Sequence, residues 1–449
     1  MKKMKNGTNL KSFEIIGLFN KKDFSIKFDD IVKILISENG AGKTTILNII
    51  VNFLRGNLRS LKTLPFKEIK VVLENEEYYV MIKEKFFKNI FLDARIIRII
   101  KRACFEYDLE NELLERIIDL YQNTFNIELV LIELGKIGMP RIMISRIRRA
   151  YEEYSGEDYI IKKEETKEEI ENYRRFLSKI NFSLEYFPTY RRIEKTFEII
   201  EKNNYDLEIN FGMSDVEKLI NNLTEKIKSD TVMFFSKMNK DIIYELIDDD
   251  KKISSSDAKN LIGNSNIQVV LNRIQDLNDT RDLKELLDKK LNIKDLEGKF
   301  LGYYLLKINN IYEKQEKNEN KIKKFIEVCN SYLFNKKFIY LDKETKVKMT
   351  DEEEKKINLS DLSSGEKQIV SLFSKLYLEN KDNLMMVIDE PELSISILWQ
   401  KKILVDIINS GKCKLLLTAT HSPFIFDNEF NDYAHSLNEY LISSKKGEL

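Results

Sequence analysis

Cysteine is scarce. The 449 residues hold three, Cys104, Cys329 and Cys413, far apart and in no C-x-x-C spacing. That argues against a disulfide framework or a zinc site, and fits a reducing cytosol. An excess of either charge is missing too. Lys+Arg and Asp+Glu both number 74, so the formal net charge is zero. No whole-chain attraction to nucleic acid follows; only a local basic patch would supply one, and no basic stripe is evident. The opening stretch MKKMKNGTNLKSF lacks the apolar core of a secretory signal. Long hydrophobic runs are absent as well: LMMVI (384–388) and LLL (415–417) are far too short to span a bilayer. A cytoplasmic protein with no membrane partner is therefore expected. Histidine occurs only twice, as His421 and His435. The length suffices for two or three domains and a sizeable core.

What is present begins with IVKILISENGAGKTT (31–45). An apolar run reads as a buried strand. Asn39, Gly40, Ala41, Gly42, Lys43, Thr44 and Thr45 follow, and then ILNIIVNFL with helical spacing. Strand, glycine loop and helix form the context that a phosphate-binding loop requires. Glycines let backbone N–H groups converge on phosphate, and the helix N-terminus adds positive potential. Lys43 is expected to reach the β- and γ-phosphates of ATP, and the Thr44 hydroxyl to ligate Mg²⁺. Ser37 stands where the motif has its first glycine. If that position requires positive φ, serine costs on the order of 1 kcal/mol.

A second apolar strand, in LMMVIDEPE (384–392), ends in Asp389 and Glu390. Acids at the C-terminal end of a strand sit beside the phosphate loop of an open α/β sheet. Asp389 is expected to hold Mg²⁺ through water, and Glu390 to polarise the attacking water as the catalytic base. The plain alternative is an Asp-Glu-Pro turn after a core strand.

LSSGEKQ (362–368) precedes the amphipathic run IVSLFSKLYL. It resembles the ABC signature, and its place just before LMMVIDEPE matches that family's order. Ser364 replaces the first glycine of the commoner signature, as in several SMC-like families. The resemblance implies that the signature of one subunit covers the nucleotide held by another, so that the chain works as a homodimer or higher oligomer. Ser363 would then meet the γ-phosphate, and Gly365 would let the backbone approach. KLLLTATHSPF (414–424) is a third strand ending in His421. The resemblance makes His421 the switch histidine, catalytic through a γ-phosphate contact across the dimer; His435 has no such context.

A long stretch separates Lys43 from Ser363, far longer than in the ATP subunit of a transporter. SMC-like and OLD-like ATPases split their heads in this way. The expected fold is α/β: an ABC-type P-loop ATPase head, with a mixed sheet flanked by helices, split by a large helical insertion with a short coiled-coil arm. The expected domains are the N-terminal part of the head (1–90), a helical insertion (91–181), a head strand with an Arg-Arg segment (182–195), a helical or coiled-coil arm (196–334) and the C-terminal part of the head (335–449). Residues 66–82 alternate around Glu74–Glu77 and predict a β-hairpin. Ser183–Phe187 predicts a strand stopped by Pro188. Arg191 and Arg192 after it are candidates for phosphate sensing or a lobe contact, with salt-bridged surface as the alternative; the segment resembles RecF-type heads. Leu301, Ile308, Ile322 and Cys329 mark one heptad position and Tyr304, Ile311 and Phe325 the other, with Gln315 and Asn318 interrupting the seam. FIYLD and KVKM (338–349) are expected to return the chain to the head.

The segments ISENGAGKTT, YFPTYRRIE, LSSGEKQ and IDEPELS together resemble most the AriA-type subunits of PARIS anti-phage systems, and next the PtuA-type subunits of Septu. Such families act as nucleotide-driven sensors or scaffolds that control a separate effector nuclease. The alternative is a DNA repair or recombination clamp of RecF or SMC type, with DNA as partner. PELSISILWQ departs from the relatives' pattern, since Ser396 and Ile397 replace a His-Pro pair. The short stretch after His421 holds no acidic cluster, so no intrinsic nuclease is expected.

Overall fold

The computed structural model describes residues 5–38, 40–87, 90–92, 94–107, 109, 113–118, 127–154, 159–161, 164–188, 213–247, 300–342 and 344–442. The chain divides into two compact units, Met1–Glu208 with Lys381–Leu449, and Ile209–Asn380. In chain order the strands are β1 (Leu10–Leu18), β2 (Lys22–Lys27), β3 (Val32–Ile36), β4 (Glu68–Leu73), β5 (Tyr78–Ile82), β6 (Ile90–Leu92), β7 (Tyr159–Ile161), β8 (Ser183–Phe187), β9 (Lys336–Leu341), β10 (Lys346–Asp351), β11 (Leu384–Asp389), β12 (Cys413–Thr420) and β13 (Ala434–Ser436).

The first unit is built on a five-stranded sheet of order β13-β3-β12-β11-β8, with every pairing parallel. Strands of a parallel sheet are covered on both faces and read as continuous apolar runs. β11 shows it: all six of its residues are buried. Beside it lies an antiparallel sheet of order β2-β1-β4-β5. Its β4–β5 pair is the hairpin that the alternation of residues 66–82 predicts, with Glu76 at φ 63 in the turn.

The helix Lys43–Arg55 follows β3 and turns Ile46, Leu47, Ile49, Ile50 and Phe53 into the core, all fully buried. Each such side chain contributes about 1.5–3 kcal/mol, which anchors the helix under its loop. It stops at Gly56, φ 74, whose N–H bonds the carbonyls of Asn52 and Phe53. The helices Ala94–Glu106, Ile127–Lys136 and Arg141–Tyr154 of the insertion close a smaller core around Ile100, Cys104, Val130, Leu134 and Ile147. All three cysteines are buried. Burial pushes the thiols of Cys104 and Cys413 up to about 11 and about 12, so both stay protonated and unreactive at neutral pH.

The second unit carries two long helices, Ser214–Ile247 and Phe300–Asn330, packed side by side. Ile308, Ile322, Phe325 and Cys329 are fully buried, as the heptad reading expects. At the other seam position Phe325 is buried as read, while Leu305, Tyr312 and Glu319, each one residue beyond a position of that seam, are buried as well. Gln315 does not interrupt the seam. It is buried and donates from Nε2 to Thr231 Oγ1 at 2.8 Å, and that hydroxyl donates to the Ile227 carbonyl at 2.7 Å. A buried polar group bonded in this way retains the packing and fixes register. β9 and β10 pair with each other in a two-stranded antiparallel sheet of this same unit, not with the sheets of the first.

Candidate functional site

At the C-terminal edge of the parallel sheet, three strand ends lie side by side. β12 pairs with β3 on one side and with β11 on the other. That edge is where open α/β sheets bind ligands, and here it carries the loop after β3, the acids after β11 and the histidine after β12.

The loop bends through two left-handed glycines, Gly40 at φ 81 and Gly42 at φ 97. A Cβ on Gly42 would stand 3.3 Å from the Phe19 ring besides carrying the left-handed strain, so this position calls for glycine. Ser37 is not among the positive-φ residues. The serine that replaces the motif's first glycine therefore carries no left-handed cost. Lys43 is buried, and its ammonium donates to the carbonyls of Ser37 and, at 3.2 Å, of Glu38. Asn39 and the pair Arg191 and Arg192 lie outside the described residues.

Thr44 is the second residue of the helix, and its Oγ1 donates to Asp389 Oδ2 at 2.7 Å. A bond between residues 345 positions apart brings the two expected Mg²⁺ groups together. A hydroxyl and a carboxylate at this spacing are the hard oxygen donors that Mg²⁺ accepts, so the residues present fit the ion. Tyr186 of β8 donates from its hydroxyl to Asn48 Oδ1 at 3.0 Å. Burial first, and the Asp389 carboxylate second, raise its phenol above the ordinary value and keep it a neutral donor.

Glu390 holds a left-handed backbone, φ 50, with its N–H bonded to the Ala419 carbonyl at 2.8 Å. A non-glycine residue held there stores strain of about 1–3 kcal/mol, and such residues cluster at functional sites. His421 follows β12 directly. Its backbone N–H and its ring Nδ1 both reach Glu392 Oε1, each at 3.0 Å. In the sequence the acidic segment points to Asp389 and Glu390 and does not single out Glu392. Only the spacing D-E-P-E would have offered a signal for it. Tyr186 was also missed, because a strand tyrosine reads as packing. His435 sits in β13 beside Glu439 at 3.2 Å.

Ser363 and Gly365 belong to the second unit. Ser363 caps the helix Ser364–Leu378: its Oγ accepts from the Glu366 N–H at 3.3 Å, and Glu366 accepts from the Ser363 N–H at 2.7 Å. Ser363 and Ser364 are exposed, while Gly365 and Glu366 are buried. Lys336 donates to Glu366 at 2.8 Å. Burial alone would raise the Glu366 carboxyl, but the bonds from Lys336 and Ser363 outweigh it and hold it below the ordinary 4.5. A lowered acid contributes stability above its unfolded value and loses it as pH falls through the folded one. Glu366→Ala is expected to cost about 0.5–2 kcal/mol through the lost cap. Thermal melting should show the deficit at pH 7 and a smaller one at pH 3. An equal deficit at both would contradict the ion-paired cap.

Residues 9–426 match the AAA_15 family, AAA ATPase domain. No curated protein matches the chain. Among solved structures it is similar to an Smc head domain with a coiled coil and joint derived from Pyrococcus yayanosii, at 13% identity and a TM-score of 0.32, over 93% of each chain. It is also similar to an Smc head domain with an extended coiled coil, bound to the C-terminal domain of ScpA and derived from Pyrococcus furiosus. That match has 13% identity and a TM-score of 0.32, over 93% of this chain and 91% of the other.

Proposed function

The chain belongs to the AAA ATPase domain family AAA_15, and from that premise we propose that it binds and hydrolyses ATP at an interface between two copies of its head. The observation that carries the reading is the 2.7 Å bond from Thr44 to Asp389, beside the buried Lys43. It joins the start of the loop helix to the end of the acidic strand at the ligand-binding edge of the sheet. Thr44 and Asp389 would hold Mg²⁺, which when bound would neutralise charge on the β- and γ-phosphates. Lys43 exchanges its two loop carbonyls for phosphate oxygens. Glu390 takes a proton from the attacking water, and its strained backbone aims the carboxylate. Ser363 and Gly365 of one copy cover the γ-phosphate held by the other, and His421 contacts the same phosphate.

In the cell, the hydrolytic cycle serves as a sensor or scaffold that controls a separate effector nuclease in anti-phage defence. The four segments resembling AriA-type and PtuA-type subunits support this role, and so does the zero net charge. The chain itself cuts no nucleic acid. The test is steady-state ATP hydrolysis by the purified chain with and without linear duplex DNA, with nuclease assays alongside. Turnover that DNA leaves unchanged, without cleavage, is the expected result. Turnover raised many-fold by DNA would replace the defence role with a repair-type clamp.

A further inference from the structure

We propose that Glu392 is a positioning residue for His421, fixing the imidazole so that its Nε2 is the nitrogen offered to the γ-phosphate. The inference rests on the ATPase reading above and names a residue that this reading leaves without a role.

Glu392 Oε1 accepts from the His421 backbone N–H and stands the same 3.0 Å from its Nδ1. One carboxylate oxygen thus grips both the backbone and the ring of the same residue. With Oε1 beside Nδ1, that edge of the ring is held against the acid and Nε2 is left as the nitrogen available to the phosphate. Carboxylate–histidine pairs orient ligating and catalytic imidazoles elsewhere by the same physics. The pair is asymmetric. The Glu392 side chain is 5% exposed and the His421 side chain 44% exposed, so the acid is the fixed member and the ring the presented one. Among the described residues, Glu392 Oε2 accepts no hydrogen bond. A carboxylate buried against a single histidine does little for stability, and its place is explained by what it does to that histidine.

The two segments that carry these residues are braced against each other. Gln400 Nε2 donates to the Ile395 carbonyl at 3.2 Å and to the Glu392 carbonyl at 3.4 Å, and its Oε1 accepts from Ser422 Oγ at 2.7 Å. The residue after His421 is thereby tied to the segment that carries Glu392. Ser422 N–H also bonds Thr420 Oγ1 at 3.0 Å, which holds the backbone on either side of the histidine.

The test is a double-mutant cycle in ATP hydrolysis, with Glu392→Ala, Glu392→Gln, His421→Ala and the double variant Glu392→Ala/His421→Ala. Loss of a partner that orients a reacting imidazole costs about 10- to 100-fold. Glu392→Ala is expected to lower kcat by that factor and leave KM for ATP within about two-fold. Glu392→Gln keeps an acceptor for Nδ1–H and should recover most of the loss. Glu392→Ala should cost nothing further when His421 is already alanine, since interacting residues are non-additive. A further drop of the same size on the His421→Ala background would overturn the proposal, as would a His421→Ala chain with unchanged kcat. Glu392→Gln is nearly isosteric and keeps the cycle readable if the alanine variant melts early. Failure of the ATPase reading looks different: wild-type turnover no greater than that of Lys43→Ala.

Discussion

Lys43→Ala is expected to weaken ATP binding by about 100-fold or more. The ammonium is buried, and its described hydrogen-bond partners are two carbonyls of the loop it closes. A hydrogen bond to a charged group contributes about 1.5–3 kcal/mol, and Lys43 is assigned two phosphate oxygens. The loss of both amounts to about 3–6 kcal/mol, or roughly two to four decades in Kd. The fold should tolerate the change. Gly40 and Gly42 shape the loop without the lysine, and the Thr44–Asp389 bond does not involve it. Calorimetric titration with ATP and Mg²⁺, together with a thermal melt, separates binding from folding. A Kd within three-fold of wild type would remove the phosphate loop from the account.

Glu390→Gln is expected to bind ATP as the wild type does and to hydrolyse it about 10²- to 10⁴-fold more slowly, the range that a positioned general base contributes. Glutamine has nearly the same shape and can hold the same left-handed backbone, so the site stays assembled while proton abstraction is lost. With hydrolysis blocked, the ATP-bound dimer should accumulate, visible as a doubled mass in light scattering. Single-turnover kinetics would check the rate. Wild-type turnover in this variant would assign the base elsewhere, and Glu392 is not a substitute, since His421 occupies it.

The parts of the fold legible in the sequence are those with a strong local pattern. β3, β11 and β12 are apolar runs because both faces of a parallel sheet are covered, and each ends in the residues that mark the site. The β4–β5 hairpin and β8 were equally plain. The strand order was not, because three of the four parallel pairings join residues hundreds apart and leave no local trace. The helical seam was half legible: a heptad template placed Asn318 in it, and the packing buries its neighbour Glu319 instead. Ser37 looked costly only because the motif has glycine there; the φ values place the left-handed turns at Gly40 and Gly42. Glu392 was the largest omission. Beside Asp389 and Glu390 it adds nothing to a motif, and its role emerges only from the bond to a histidine that follows a different strand.

The central claim is a shared site, with the loop of one copy completed by the signature of another. Lys43→Ala and Ser363→Arg should each be nearly inactive alone, the first for want of a loop and the second for want of a signature. Mixed in equal amounts, they should regain about a quarter of wild-type ATP hydrolysis, because half of randomly paired dimers are mixed and each holds one intact site of two. A mixture no more active than the separate variants would contradict the shared site.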